Sequence, residues 1–226
     1  MANVILVIGD TGTGKSTSVK SLNPDETYII NVLNKPLPFK GSGSIYTAEK
    51  KNMSSTDSYK TVYDTLKSIN EKAPHIKHVV IDDVGFVATK EFFDRSSEVG
   101  FSKFSDIGVH MQQIINLAKN CRSDLFIYFM FHEDDDVNDK IKIGKKVKLI
   151  GQLLEDKYNP LAIVTVALFT DVTFDKDGNA EYSFITKRTK RNSIVIPAKS
   201  PEGMFTDTKI PNDLALVAKT ISDYYK

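Results

Sequence analysis

Val4 to Ile8 form an unbroken apolar run, VILVI, that stops at Gly9. Five residues are too few to cross a bilayer, and the flanks lack signal-peptide organisation, so the run reads as a buried strand. The same signature returns in TYIINVL, in IKHVVIDDV and in DLFIYFMFHE. Segments of helical period lie between these runs. KSTSVKSL predicts a short helix ending before Asn23-Pro24, since proline cannot donate into a helix interior. Tyr59, Val62, Tyr63, Leu66 and Ile69 recur at helical spacing between Asp57 and the Ala73-Pro74 break. Phe104, Ile107, Met111, Ile114, Ile115 and Ala118 make one face of a further helix. Continuous apolar strands alternating with helices predict an α/β fold with a mainly parallel sheet covered on both faces.

Elsewhere the pattern is broken or changes kind. The prolines and glycines of NKPLPFKGSG exclude regular structure, GSGS at Gly41 to Ser44 reads as a short loop, and SIYTAE predicts a short strand. In the C-terminal half, LAIVTVALFTDVTF and AEYSFIT, joined by DKDGN, predict antiparallel strands added to the sheet. PNDLALVAKTISDYY predicts a closing helix with Pro211 or Asn212 near its start.

Composition narrows the class without naming a function. At 226 residues, 41% hydrophobic and 26% charged, the chain can bury one substantial core, so a single domain over 1–226 is expected. Lys and Arg total 30 against 29 Asp and Glu, which leaves no global basic field to attract nucleic acid. The lone Cys121 excludes an intrachain disulfide, and no stretch has transmembrane length. These features predict a reduced, cytoplasmic protein with no membrane partner.

The candidate chemistry begins where the first strand ends. Gly9-Asp10-Thr11-Gly12-Thr13-Gly14-Lys15-Ser16-Thr17 is G-x-x-x-x-G-K-[ST] in a strand-loop-helix context. Backbone N–H groups around Gly12 to Lys15 can surround a phosphate, Lys15 can reach the outer phosphates, and Ser16 can hold magnesium. Magnesium needs a second anchor at a neighbouring strand end, and VVIDD supplies Asp82. Asp83 either orients the attacking water or caps the next segment. Together these motifs imply a P-loop NTPase that uses ATP and Mg2+. At FMFHEDDD, His132 or Glu133 either senses the γ-phosphate or belongs to a solvated strand end. Neither EDDDVND nor DKDGNAE has the glycine and terminal glutamate of a calcium loop.

Across GDTGTGKST, YIINVLNKPLPFKG, HVVIDDV, FHE, KLIGQLLEDK and AKSPEGMF…IPNDLALVAK, the chain resembles phage-encoded P-loop ATPases with a RecA-type core, the AAA-domain ATP-binding proteins linked to phage recombination. The resemblance implies a RecA-like core that assembles as a ring or filament with ATP between subunits. It also implies single-stranded DNA as the polymer, a single-strand-binding protein as a companion, and a bacterial host cytoplasm as the setting. RecA-type enzymes place a catalytic glutamate just after the second core strand, whereas IINVLNK has no acid there. Glu49 is the nearest upstream candidate, and Asp83 is the alternative.

The same resemblance turns the loop after His132 toward the polymer. Lys140, Lys142, Lys145, Lys146 and Lys148 would then meet DNA phosphates; the other reading is a solvated hairpin. Lys187, Arg188, Lys190 and Arg191 form a second basic cluster, from which Arg191 could reach a neighbouring subunit's ATP, as could Lys199. Two other functions stay open: a nucleotide-dependent loader or assembly switch with little turnover, and a nucleoside or nucleotide kinase.

Overall fold

Alternate residues of the first apolar run face opposite sides of a sheet, and both sides are covered. Ile5 and Val7 pack into one core, while Val4, Leu6 and Ile8 pack into another. The computed structural model describes residues 1–100, 102–150 and 159–226. Its strands are β1 (Asn3–Gly9), β2 (Thr27–Asn31), β3 (Met53–Ser55), β4 (His78–Asp82), β5 (Phe126–Asn138), β6 (Ile141–Val147), β7 (Val166–Phe174), β8 (Ala180–Ile185), β9 (Thr189–Arg191), β10 (Ile194–Ile196) and β11 (Lys209–Pro211). The helices are α1 (Ser42–Ile45), α2 (Tyr59–Lys72), α3 (Gly85–Asp94), α4 (Ser102–Lys119), α5 (Pro160–Ile163) and α6 (Leu214–Tyr224).

The main sheet runs β11-β8-β7-β1-β5-β4-β2-β3. From β7 to β3 every pair is parallel, and β8 and β11 add an antiparallel edge. Helices α2, α3 and α4 cover one face, where Val62, Leu66, Val87, Ile107 and Ile114 are buried. On the other face, α6 brings Leu214, Val217 and Ile221 against Val19, Ile5 and Leu168. Among the described residues no helix is long and apolar enough to cross a membrane.

KSTSVKSL forms the expected short helix, of 3₁₀ type over Ser16–Ser21, whereas several other local expectations are corrected. Ser18 bonds the Lys15 carbonyl through its hydroxyl at 2.5 Å, and such local side-chain bonds compete with the α-helical ladder. SIYTAE is not a strand. Its start belongs to the short helix α1, which also takes in most of the GSGS expected as a loop, and the edge strand β3 lies further on. Asn52 holds the intervening turn, accepting from Thr47 N and donating to Ile45 O. LAIVTVALFTDVTF divides into α5 and β7, and β7 is parallel to β1 as well as antiparallel to β8. The closing helix is capped by Asp213, with Pro211 left in β11. Part of KLIGQLLEDK lies outside the described residues.

The apolar run of β5 ends at Phe131, yet the strand continues to Asn138 as an antiparallel hairpin with β6. Strands β10 and β9 extend that hairpin sideways, β10 pairing with β6 and β9 with β10.

Candidate nucleotide-binding site

Parallel pairing brings the carboxyl ends of β1, β4 and β5 to one edge, where ligands of open α/β sheets bind. Gly9 stands beside His132 in register, and Asn31 beside Asp82. The loop after Gly9 turns sharply, with Gly12 and Gly14 at φ 78° and 93°, values that glycine adopts without strain. A side chain at Gly14 would also meet the Tyr182 ring at 2.9 Å. Thr13 Oγ1 donates to the Asp10 carbonyl at 2.7 Å and lies 2.6 Å from Thr170 Oγ1, tying the loop to β7.

Lys15 is buried, and its ammonium donates to the Gly9 and Asp10 carbonyls, each at 2.8 Å. Burial lowers its pKa, opposed by the charges of Asp83, Asp82 and Asp10. Ser16 Oγ donates to Asp82 Oδ1 at 2.9 Å. Burial and the neighbouring Asp83 charge raise the pKa of Asp82, and the Ser16 bond offsets part of this. A hydroxyl and a carboxylate side by side are the oxygen donors that magnesium takes from a protein when phosphates and waters complete its shell. No cluster of three acidic, His or Cys ligands occurs among the described residues, so an all-protein cage is absent from them. The pair therefore fits a magnesium nucleotide better than a resident metal ion.

Asp83 follows Asp82 with a left-handed backbone, φ 58°. Its Oδ1 accepts from His132 Nε2 at 2.9 Å, and its Oδ2 is 2.6 Å from Lys35 Nζ. Burial pushes this carboxyl up, but the bonds from His132 and Lys35 outweigh burial and hold it down at about 2. His132 is thus joined to the second carboxylate, while its carbonyl accepts from Lys148 N at the end of the hairpin. Glu133, next along, pairs with Lys145 at 2.7 Å.

Lys35 is the residue that sequence reasoning passed over. Asn31 clasps it from both sides, donating to the Lys35 carbonyl at 2.7 Å and accepting its N–H at 3.2 Å. With Pro36 and Pro38 it walls a cleft of about 390 Å³ whose other sides are Thr11, Gly12, Gly14 to Thr17, Asp82, Asp83, His132 and Tyr182. A usable signal existed in NVLNKP, because residues that follow any parallel strand reach the same sheet edge. A larger hollow of about 750 Å³ at the amino ends of β1 and β7 contains none of these groups.

Other expected site residues lie elsewhere. Glu49 is exposed in the turn before β3 and does not line the cleft, because α1 carries the chain away from the sheet edge before that turn. Arg191 bonds the buried Asp171 at the end of β7, which Lys209 also approaches at 3.2 Å. Lys199 is bridged through its backbone to Ala167. Neither of these cations, nor the exposed Arg188, lines the cleft of its own chain.

The lysine-rich stretch is the hairpin strand β6, facing acid. Lys142 pairs with Asp135 at 2.6 Å, and Lys145 bridges Glu133 and Asp135. Lys146 lies opposite Asp134 in register, and Lys140 and Lys148 are exposed at the turn and the strand end.

A family model described as an AAA domain matches residues 1–199, a span that contains every residue lining the cleft. No match to a curated protein was found.

Proposed function

Since the chain belongs to the AAA-domain family, we propose that it binds ATP in this cleft and hydrolyses it with magnesium. The observation that carries the reading is the Ser16–Asp82 contact of 2.9 Å beside the buried Lys15 ammonium. Lys15 is held by two carbonyl dipoles, and phosphate oxygens offer it full charge, so a triphosphate competes for it effectively. Ser16 and Asp82 would hold magnesium, which when bound neutralises charge on the outer phosphates. Loop N–H groups from Gly12 to Ser16 orient the phosphates, and the walls of the cleft restrict the approach of water. We assign to Asp83, which lines the cleft, the orientation of that water, since Glu49 does not line it.

From the family resemblance we add a ring or filament acting on single-stranded DNA in recombination or replication as the setting of this turnover. Lys142 and Lys145 of β6 are paired with acids, which compensates part of the charge that polymer would meet. The loader reading keeps one observation in its favour, since both oxygens of Asp83 are already engaged.

The test is phosphate release from ATP with magnesium or with EDTA, with and without single-stranded DNA, alongside nucleosides as acceptors. Lys15→Ala should abolish tight nucleotide binding. Asp82→Asn should keep nucleotide binding and lose roughly 10²-fold or more in turnover. Wild-type affinity in Lys15→Ala would remove the assignment, and phosphate transfer to a nucleoside would select the kinase.

A further inference from the structure

Both carboxylate oxygens of Asp83 are engaged, one accepting from His132 and the other paired with Lys35, so the Lys35 ammonium holds the acid that would orient a water in line with the γ-phosphate. The two partners are held differently. His132 belongs to β5, where it pairs with Gly9 of β1 and its carbonyl accepts from Lys148 N. Lys35 has a backbone clasped by Asn31, but its side chain is 57% exposed and among the described residues its ammonium makes this one ion pair.

We propose that Lys35 is the cation that stabilises the γ-phosphoryl group, and that it reaches the phosphate by leaving Asp83. The inference rests on the ATPase reading above. Among the described residues lining the cleft, Lys15 and Lys35 are the basic side chains apart from His132. Lys15 lines the cleft from the phosphate loop, whereas Lys35 lines it from the segment after β2, with Pro36 and Pro38. A γ-phosphate in this cleft presents about two negative charges against the one on Asp83, so the ammonium transfers to it. An ion pair with one exposed partner is worth roughly 0–1 kcal/mol, so its loss opposes the transfer weakly.

The exchange serves the reaction on both sides. In hydrolysis a water oxygen bonds to the γ-phosphorus, and the bond from phosphorus to the β–γ bridging oxygen breaks with its electron pair staying on ADP. The water proton passes to the freed Asp83 oxygen and then to solvent. Charge spreads over the γ-phosphoryl oxygens in that transition state, where Lys35 now stands. His132 continues to donate to the other Asp83 oxygen, so the buried carboxylate is never without a partner. Without a γ-phosphate, Lys35 covers the carboxylate and the site is idle. The cation that the second half of the chain does not bring to its own cleft is in this way supplied from the loop after β2.

The experiment compares wild type, Lys35→Ala and Lys35→Arg by calorimetric titration with ADP and with a non-hydrolysable ATP analogue, and by steady-state hydrolysis. Lys35→Ala should bind ADP within about twofold of wild type and the analogue about tenfold more weakly, the selective loss of one γ-phosphate contact. Its kcat should fall by about 10²–10³, with Lys35→Arg recovering part of both losses. Equal weakening of ADP and analogue would mark Lys35 as a brace for its loop, and unchanged or faster turnover would mark it as a mere cover on Asp83; each overturns the proposal. Wild type that binds no nucleotide would remove the ATPase reading together with this one. A wild type that turns over ATP beside an indifferent Lys35→Ala would remove only the role of Lys35.

Discussion

Replacing Gly9 with alanine should damage the protein through a single methyl group. That methyl would lie 1.7 Å from Thr170 Oγ1, 2.7 Å from Thr13 Oγ1 and 3.0 Å from Thr170 Cβ. Optimal carbon contacts are about 3.5–4.0 Å, so the first overlap is too deep for small adjustments. Thr170 is buried on β7, whose register with β1 runs through Ile8 and Phe169, so its backbone cannot retreat without breaking the sheet. Rotating its side chain instead gives up the 2.6 Å contact with Thr13. Overpacking costs about 1–3 kcal/mol and a lost hydrogen bond about 1 more, giving roughly 2–4 kcal/mol. In a chain of this size that is a fall in Tm of roughly 5–15 °C. Thermal and urea unfolding read the loss, and nucleotide titration should show weaker binding because the displaced loop carries Lys15. Pairing Gly9→Ala with Thr170→Gly removes the obstacle, so the double variant should lose less than the sum of the singles, with a coupling above about 1 kcal/mol. A Gly9→Ala protein within about 0.5 kcal/mol of wild type, with strictly additive behaviour in the pair, would refute the steric account.

Two further outcomes follow from buried and paired charges. His78, at the start of β4 beside Phe126 and Tyr128, has its pKa lowered by burial to about 4. Its folded pKa lies below its unfolded value, so its contribution is present above about pH 6.5 and is lost as pH falls toward 4, by on the order of 3 kcal/mol. Urea midpoints should therefore fall less steeply over that window in His78→Gln, and parallel slopes would contradict this. On the hairpin, Lys142 and Lys145 already face Asp135 and Glu133, so changing both to Gln should leave the salt dependence of single-strand binding unaltered. A slope flattened by about 0.7 per lysine would return them to the DNA surface.

Much of the scaffold is legible in the chain because parallel strands buried on both faces cannot alternate with polar residues. VILVI, HVVID and FIYFMF therefore announce β1, β4 and the inner part of β5 without reference to any partner. The phosphate loop and Asp82 are legible for a related reason, since each sits where an apolar run stops and a strand end must meet the sheet edge. Signals that depend on a few local hydrogen bonds were weaker. SIYTAE carries strand formers yet follows a glycine at φ 82° into the short helix α1, and the hydroxyls of Ser18 and Ser21, bonded to the Lys15 and Ser18 carbonyls, accompany the 3₁₀ helix after Lys15.

The tertiary structure alone decided which charges meet. Asp83 finds Lys35 across the strand order and His132 across 49 residues, and Asp171 takes Arg191, which in the sequence reads as a free basic cluster. Register decided that the lysines of β6 face the acids of β5, converting an apparent basic loop into a largely compensated hairpin. The physical reason is the range of the two effects. Hydrophobic periodicity is written within one element and survives being read alone. A side chain's charge partner depends on which strands become neighbours, and that choice is made by the packing of the whole core.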